Sequence, residues 1–218
     1  MKISREQTRQ NYDRMSRWYD LFASSEQKFT QIGLQLLGLK PGERALEIGF
    51  GTGHALAILA QQAGEPGLAT GVEVSPGMIE VARKRTSPFR QKQAKGLERS
   101  VGMIRGDGTL LPFAPNSFDA VFLSFTLELF SDNEIPVVLK ACHRVLKREG
   151  RLGVVSLAKR DVLACRLYEW GHERWPVLLD CRPIELRKSL KAEGFRVQAA
   201  KVKTMWGLPV EIVLGRPL

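Results

Sequence analysis

The sequence has few of the residues that build disulfide frameworks or metal centres. Of its 218 residues only three are cysteines, Cys142, Cys165 and Cys181, and only three are histidines. The cysteines form neither a CxxC pair nor a Cys/His spacing typical of a metal site, and their odd number favours reduced thiols with structural roles. We therefore predict no metal site and no disulfide framework.

Long hydrophobic runs are also missing. The N-terminal stretch MKISREQTRQ has no apolar core behind its charges. No later stretch approaches the roughly 18 uninterrupted apolar residues that a membrane span requires. No internal repeat, low-complexity tract or Ser/Gly/Pro linker divides the chain. We expect a cytoplasmic protein that forms a single domain over residues 1–218.

Acidic residues are too few to balance the basic ones. The net charge is +10, and the segment RKRTSPFRQKQAKGLERSVGMIR, residues 83–105, carries eight Lys or Arg against Glu98 alone. One interpretation is a solvated face. The other is an attractive field for nucleic acid, an anionic membrane or an acidic substrate. The composition leaves both interpretations open.

The pattern of apolar residues predicts an α/β fold. The first forty residues have helix-like spacing that stops at KPGE. Five apolar strands alternating with helices then predict a parallel sheet covered on both faces: RALEIGF, GLATGVEV, SVGMIRGD, FDAVFLSF and GRLGVVSLA. The last two strands are separated by the helical pattern NEIPVVLKACHRVLKREG. The closing run FRVQAAKVKTMWGLPVEIVLG predicts an antiparallel hairpin.

Together these elements predict a Rossmann-like, doubly wound and mostly parallel seven-stranded sheet with a terminal antiparallel hairpin. Residues 1–40 are expected to form an N-terminal helical cap. Residues 158–183 contain the segment DVLACRLYEWGHERWPVLLDC, which is rich in large side chains. We interpret it as a helical lid inserted over the mouth of the sheet.

A glycine-rich loop follows the first strand. Gly49, Gly51 and Gly53 stand at alternate positions after Glu47, so the spacing is G-x-G-x-G and not the G-x-G-x-x-G of dinucleotide-binding loops. A carboxylate at the mouth of the loop repels a pyrophosphate and favours an ammonium or a sulfonium group. The pattern therefore favours a cationic ligand, and a plain Gly-rich turn is the alternative.

Two further acids follow the next strands. Glu73 closes the second strand, 24 positions after Gly49, where a carboxylate can accept both hydroxyls of a ribose. After the third strand, the Asp107 carboxylate can accept from an exocyclic amine while the Gly108 region donates a backbone N–H to a ring nitrogen. Each acid alone could cap a helix or a turn. Acids at three consecutive strand ends favour a nucleoside with an amino acid attached.

The strand-end motifs resemble those of a known family. LEIGFGTG, GVEVSPGMIEVAR, GDGTLLPFAPNSFDAVFLSFTLELF and RVLKREGRLGVVSL resemble the successive motifs of class I S-adenosylmethionine-dependent methyltransferases. The resemblance runs from about residue 12 to the end. It is strongest to the branch that contains the ubiquinone/menaquinone-biosynthesis C-methyltransferases and the small phospholipid N-methyltransferases. S-adenosylmethionine is therefore the implied cofactor, whereas the acceptor is not specified.

The resemblance implies a role for each motif residue. Glu47 and the three loop glycines would hold the methionine part of the cofactor, and Glu73 would bind the ribose hydroxyls. The adenine contacts would come from Val74, Met78, Asp107 and Gly108. Ser124 and Phe125 would line the cofactor near its sulfur. Tyr12 and Tyr19, in NYDRMSRWYDLF, would close over it, and an aromatic stripe packed in an amphipathic helix is their alternative role.

Methyl transfer from a sulfonium is an in-line displacement, so the protein mainly supplies alignment. A base is needed only when the acceptor must lose a proton. Glu128, in FTLELF, is the first candidate base. Many relatives have a histidine near this point, and its absence leaves the transfer of quinone chemistry to this chain open. The second candidate is His172, in YEWGHERW, for which a surface histidine without function is the alternative.

Two motifs that are absent after the fourth and fifth strands argue against two classes of acceptor. SFTL replaces the Asn/Asp-Pro-Pro-Tyr run of base-modifying amino methyltransferases, and VVSLAKR offers no cysteine nucleophile. We expect a small quinol-like or lipid-like acceptor under an apolar lid, and peripheral contact with an anionic membrane. The lid residues are Leu167, Tyr168, Trp170, Trp175 and Leu178.

Two other functions stay open. A structured-RNA methyltransferase would use the basic segment 83–105 as a phosphate track. A non-catalytic regulatory protein would bind the cofactor without modifying an acceptor. The sequence does not define the oligomeric state.

Overall fold

The computed structural model describes residues 19–90, 101–160 and 182–218, with side chains for 25–88, 101–160 and 182–218. Residues 1–18 of the predicted cap and 161–181 of the predicted lid lie outside the described residues. Tyr12, His172 and the five lid residues fall there too, so their predicted roles stay predictions. Tyr19 is described only as the first residue of a helix.

The described chain alternates between strands and helices after one long N-terminal helix. The elements are α1 (Tyr19–Leu37), β1 (Arg44–Ile48), α2 (His54–Ala63), β2 (Leu68–Glu73), α3 (Pro76–Arg85), β3 (Val101–Arg105), β4 (Phe118–Ser124), α4 (Ile135–Val145), β5 (Leu146–Leu157), α5 (Leu186–Ala192), β6 (Phe195–Met205) and β7 (Leu208–Pro217). Short 3₁₀ helices cover Ser87–Arg90 and Leu127–Leu129. No helix in these ranges is long and apolar enough to cross a membrane.

The seven strands form one sheet in the order β3-β2-β1-β4-β5-β7-β6. The first five strands are parallel, and β7 runs antiparallel to both β5 and β6. The predicted seven-stranded sheet with a terminal hairpin is therefore confirmed. The chain leaves the β3 edge and re-enters the sheet beside β1, so the order of the strands reverses between β1 and β4.

Helices cover both faces of the sheet because the strands are apolar on both faces. Phe122 and Val155 pack with α1 and α2 residues such as Phe29 and Leu56 in one core cluster. The neighbouring strand residues face the other way and pack with α4 and α5, as Val121 does. Each strand thus contributes alternate residues to two separate cores.

One predicted boundary was wrong. The helical pattern of residues 133–150 predicted a helix through LKREG, but α4 ends at Val145 and β5 begins at Leu146. Leu146 pairs with Phe118 at the start of β4. The N–H of Ser117 donates to the Val145 carbonyl at 2.8 Å. This pairing with a strand nearly thirty positions away overrides the local helical preference.

A buried arginine fastens α1 to the sheet. The Arg151 guanidinium, on β5, donates to the carbonyls of Leu37 and Gly38 at the end of α1. It also pairs with the Glu43 carboxylate, with 2.6 Å between Nη2 and Oε2. Partial burial raises the pKa of Glu43, but the hydrogen bonds and charge of Arg151 outweigh it and hold that pKa below its usual value. The orphan carbonyls of the helix end are thereby satisfied by a cation.

Candidate functional site

The carboxyl ends of the parallel strands surround a cleft at the point where the strand order reverses, which is the usual ligand position in an open α/β sheet. Nine of the predicted cofactor residues line it: Gly49, Gly51, Glu73, Val74, Met78, Asp107, Gly108, Ser124 and Phe125. The remaining lining residues are Ile48, Val72, Gly106, Thr126, Leu129, Phe130 and Glu134. Glu47, Gly53 and Glu128 are outside this lining.

The β1–α2 loop packs tightly against the segment after β4. Gly49 has φ +68°, and a Cβ atom there would lie 2.7 Å from Thr126 Oγ1. The Thr126 hydroxyl donates to the Gly49 carbonyl at 3.3 Å. Gly51 differs, because a Cβ atom there would meet none of the described residues within 4 Å. Gly49 is thus needed for the close approach, whereas Gly51 keeps the cleft open.

Glu73, the last residue of β2, is fixed by backbone donors. Its Oε2 accepts from the N–H of Gly51 at 3.0 Å, and its Oε1 accepts from Val74 and Ser75 at 2.9 Å each. The side chain is buried yet lines the cleft. The carboxylate therefore ties the glycine loop to β2, and its orientation is set before any ligand binds.

Glu47 is a buried carboxyl group beside a second acid. It faces the α1 side of the sheet, because its neighbours Leu46 and Ile48 belong to the core on the α4 side. Among the described residues its Oε2 has no hydrogen-bond partner. Burial raises the pKa of Glu47 well above its usual value, and the nearby charge of Glu73 raises it further. Such a group requires a proton or a cationic partner.

The loop after β3 combines an acid with a glycine in close contact. Asp107 Oδ1 accepts from the N–H and the hydroxyl of Thr109, at 2.9 and 2.8 Å. The turn role that the sequence left as an alternative is therefore present, although Asp107 also lines the cleft. A Cβ atom on Gly108 would lie 2.7 Å from Ile48 Cγ2 and 3.1 Å from Phe130 Cζ. The absence of a side chain lets this loop pack against the cleft wall.

The end of β4 connects the cleft to α1. Ser124 Oγ lies 2.8 Å from Thr30 Oγ1, within hydrogen-bond distance. Phe125 has φ +50°, unusual for a residue with a side chain, and its ring packs edge-on against Phe29 with centroids 6.3 Å apart. This strained turn is held by the Phe125 N–H, which donates to Val155 at 2.8 Å. The strained backbone at Phe125 thus fixes the part of the cleft wall that is expected to lie near the sulfur of the cofactor.

Sequence reasoning missed Thr30 and the residues that follow Phe125 on the wall. The FTLELF motif that contains Glu128 also contains Thr126, Leu129 and Phe130. The motif indicated that these residues follow β4, but not that they line the cleft. Thr30 carries no signal at all, because its partner Ser124 is 94 positions away.

Glu128 is placed differently from the other candidates. It is fully buried in the 3₁₀ helix, and its Oε1 accepts from the N–H of Leu157 at 3.1 Å. The contact joins the segment after β4 to the end of β5. Its role as a base stays a prediction.

The site fits a nucleoside that carries a cationic amino acid. The buried Glu47 carboxyl group, next to the glycine loop, requires a proton or a cation, and Glu73 presents an oriented carboxylate to the cleft. Val74, Met78 and Phe130 supply apolar surface for a flat ring. S-adenosylmethionine has this combination of groups.

Comparison with known proteins agrees with this chemistry. A family model described as a methyltransferase domain matches residues 46–154, half of the chain. The ubiquinone/menaquinone biosynthesis C-methyltransferase of Teredinibacter turnerae is 33% identical over 132 residues, 61% of this chain and 49% of that protein. The 2-phytyl-1,4-naphtoquinone methyltransferase of a Nostoc species is 27% identical, over 72% of this chain and 65% of that protein.

A solved structure shares the fold over nearly the whole chain. It is that of an S-adenosylmethionine-dependent methyltransferase from Thermotoga maritima, described as a possible histamine N-methyltransferase. It has a TM-score of 0.68 and 24% identity over 95% of this chain and 98% of that one. The predicted Rossmann-like fold, methyltransferase domain and S-adenosylmethionine cofactor are confirmed. The chain spans between about half and two thirds of the length of the two curated relatives.

Proposed function

Since the chain belongs to the methyltransferase domain family, we propose that it transfers a methyl group from S-adenosylmethionine to a small hydrophobic or amphipathic acceptor. A quinol-like or lipid-like molecule fits this description. The observation that carries the proposal is the buried Glu47 carboxyl group, whose Oε2 has no hydrogen-bond partner in the described part of the chain and which precedes the cleft-lining loop.

The cofactor, when bound, supplies a methyl group on a sulfonium with a thioether as its leaving group. Glu47 would pair with the ammonium of the methionine part, and the glycine loop would allow a close approach of the backbone. Glu73 would accept from the ribose hydroxyls while its backbone hydrogen bonds keep it in place. Asp107 and Gly108 would contact the adenine edge, and Ser124 and Phe125 would form the wall beside the methyl group.

The acceptor class is supported by the apolar wall of the cleft and by the relatives. Phe125, Leu129 and Phe130 present hydrophobic surface at the cleft. The two relatives named above act in ubiquinone/menaquinone biosynthesis and on 2-phytyl-1,4-naphtoquinone, according to their names. Such acceptors partition into membranes, and the net charge of +10 favours contact with an anionic bilayer.

Calorimetric titration tests the cofactor site. We expect micromolar binding of S-adenosylmethionine and S-adenosylhomocysteine and none of NADH. Glu73→Ala should abolish binding, whereas Glu80→Ala should preserve it because Glu80 is an exposed residue of α3. Binding of NADH, or unchanged binding by the Glu73 variant, would contradict the assigned site.

Mass spectrometry tests the acceptor class. Demethylated quinols, phenols, amines and phospholipids are incubated with enzyme and cofactor in detergent, and a mass gain of one methyl group is sought. Methylation of a quinol or lipid supports the proposal. Methylation confined to structured RNA, or cofactor binding with no acceptor modified, would overturn it.

A further inference from the structure

The tip of the β6–β7 hairpin displays a large aromatic side chain to solvent. Trp206 is 73% exposed, whereas Met205 before it and Leu208 after it are buried. Trp206 has φ +51°, and its position between two buried residues makes it the projecting part of the turn. One exposed apolar residue is common on a protein surface, so the tryptophan indicates a binding surface only together with the groups around it and its place in the fold.

Strand register places this tip at the same edge of the sheet as the cofactor cleft. Leu157, near the end of β5, pairs with Val210, and Val210 pairs with Lys203. Trp206 follows three residues later, beyond the carboxyl end of β5. From β4, which carries Ser124, to β6 there are three strand spacings of about 4.8 Å. The tip therefore stands roughly 14 Å to the side of the cleft wall.

Two exposed lysines precede the tryptophan on β6. Lys201, Val202, Lys203 and Thr204 are all exposed, and residues 201–210 contain no acid. The next acid along the chain, Glu211, is buried and paired with Arg187 at 2.6 Å. Residues 201–207 thus expose two cations, apolar side chains and a hydroxyl group, and no acid.

We propose that residues 201–207, the hairpin anchor, bind the interface of an anionic bilayer and hold the cleft towards it. Tryptophan is favoured at the level of the lipid headgroups, since its ring is apolar and its N–H remains able to hydrogen-bond. Lys201 and Lys203, on the strand that leads to the tip, are attracted by the negative surface potential of anionic lipids. The proposal rests on the proposed function, which needs an acceptor drawn from a membrane.

Edge protection explains only part of this surface. β6 is an edge strand, and lysines on an edge discourage pairing with another chain. Trp206 has no such protective role, and tryptophan is a residue enriched at interfaces. The combination of lysines with a projecting tryptophan favours a lipid surface.

The test is cosedimentation of the full chain with vesicles of phosphatidylcholine, alone or mixed with phosphatidylglycerol. Wild-type protein should bind the anionic vesicles only, and binding should weaken with salt. Trp206→Ala should lower the partition coefficient by about tenfold. Lys201→Gln/Lys203→Gln should lower it by about thirtyfold at low salt.

Matched controls stand at the opposite edge of the sheet. Leu218 is 80% exposed and follows Pro217, which pairs with Phe195 at the start of β6. Leu218→Ala should leave partitioning unchanged. Lys40→Gln/Lys191→Gln removes the same charge from exposed positions near the start of β1 and the end of α5. Its partitioning should fall far less than that of the Lys201/Lys203 variant.

Equal loss in both charge variants would overturn the anchor, as would unchanged partitioning of the Trp206 variant. A Trp206-dependent dimer by ultracentrifugation, or Trp206-dependent RNA binding with no vesicle binding, would also overturn it. Cofactor affinity and methylation of a detergent-dispersed acceptor should be the same in the Trp206 variant and the wild type. If the wild-type protein methylates no detergent-dispersed acceptor, the proposed function is contradicted. The vesicle-binding result tests only the hairpin anchor.

Discussion

Thr126 occupies the space that a side chain on Gly49 would need. Its hydroxyl donates to the Gly49 carbonyl, and its Oγ1 would lie 2.7 Å from a Cβ atom at that position. The loop after β1 and the segment after β4 therefore pack closely against each other at Gly49 and Thr126. The shape of the cleft depends on this contact.

Alanine at Gly49 and alanine at Gly51 should have different effects on stability. The first should clash with Thr126, whereas the second should only obstruct cofactor binding. Both residues have positive φ, which costs alanine about 1–2 kcal/mol. Gly49→Ala adds overpacking against Thr126, about 1–3 kcal/mol more. Gly51→Ala adds no clash with the part of the chain that the structure describes, but it places a methyl group at the cleft. Urea unfolding should show the larger loss for Gly49→Ala, while calorimetry shows weakened cofactor binding in both. Equal stability of the two variants would refute the fit described for Thr126.

Glu47→Gln should stabilise the protein at neutral pH and abolish cofactor binding. The folded-state pKa of Glu47 is raised by burial and by Glu73. Its proton is therefore held more tightly in the folded chain, and wild-type stability falls as pH rises through that raised pKa. The variant should have the higher Tm at pH 8, and the difference should vanish below the usual pKa of 4.5. Thermal unfolding across this range checks the result, with Glu80→Gln as a control that should show no such trend.

Binding of a cation beside Glu47 should release a proton. Because the free carboxyl group has a raised pKa and an ammonium partner lowers it, cofactor binding favours the ionised form. Calorimetry in buffers of different ionisation enthalpy measures this release. A binding enthalpy that does not depend on the buffer, between pH 6 and 8, would mean that Glu47 does not change its protonation state.

Arg151→Ala should be strongly destabilising, by about 3–5 kcal/mol, since it leaves Glu43 and two helix-end carbonyls without their buried donor. Lys147→Ala removes a half-exposed partner of Asp119 and should cost at most about 1 kcal/mol. The Glu43 pKa is lowered in the folded chain, so this pair adds stability above pH 4.5 that is lost as pH falls through the lowered pKa. Urea unfolding at pH 7 and pH 3 compares the variants. Similar losses of unfolding free energy for both variants at pH 7 would contradict the role of Arg151 in holding α1 to the sheet.

Glu128→Gln tests the candidate base while keeping the fold. An amide oxygen can accept from the Leu157 N–H as the carboxylate does, so stability and cofactor affinity should change little. If Glu128 removes a proton from the acceptor, kcat should fall by about 10²–10⁴. A kcat like that of the wild type would assign Glu128 a structural role at the end of β5.

The sequence predicted the features that depend on local pattern. FDAVFLSF and RALEIGF read as strands because a parallel strand buried on both faces is apolar nearly throughout. Gly49, Glu73 and Asp107 could be found because acids and glycines at successive strand ends meet at one edge of a sheet. Long-range contacts carried no such signal. The end of α4 depends on Phe118, the orientation of Ser124 involves Thr30, and the burial of Glu128 depends on Leu157.

If the proposed hairpin anchor seats on a bilayer, the shared edge of the hairpin tip and the cleft confines the search for an acceptor to two dimensions. An enzyme seated through Trp206 meets a water-insoluble molecule within a plane, and its rate follows the number of acceptor molecules per unit area. Adding inert lipid at a constant total amount of acceptor then slows turnover, although the bulk concentration is the same. Under the proposed function, the methylated product would also return to the leaflet from which its precursor came.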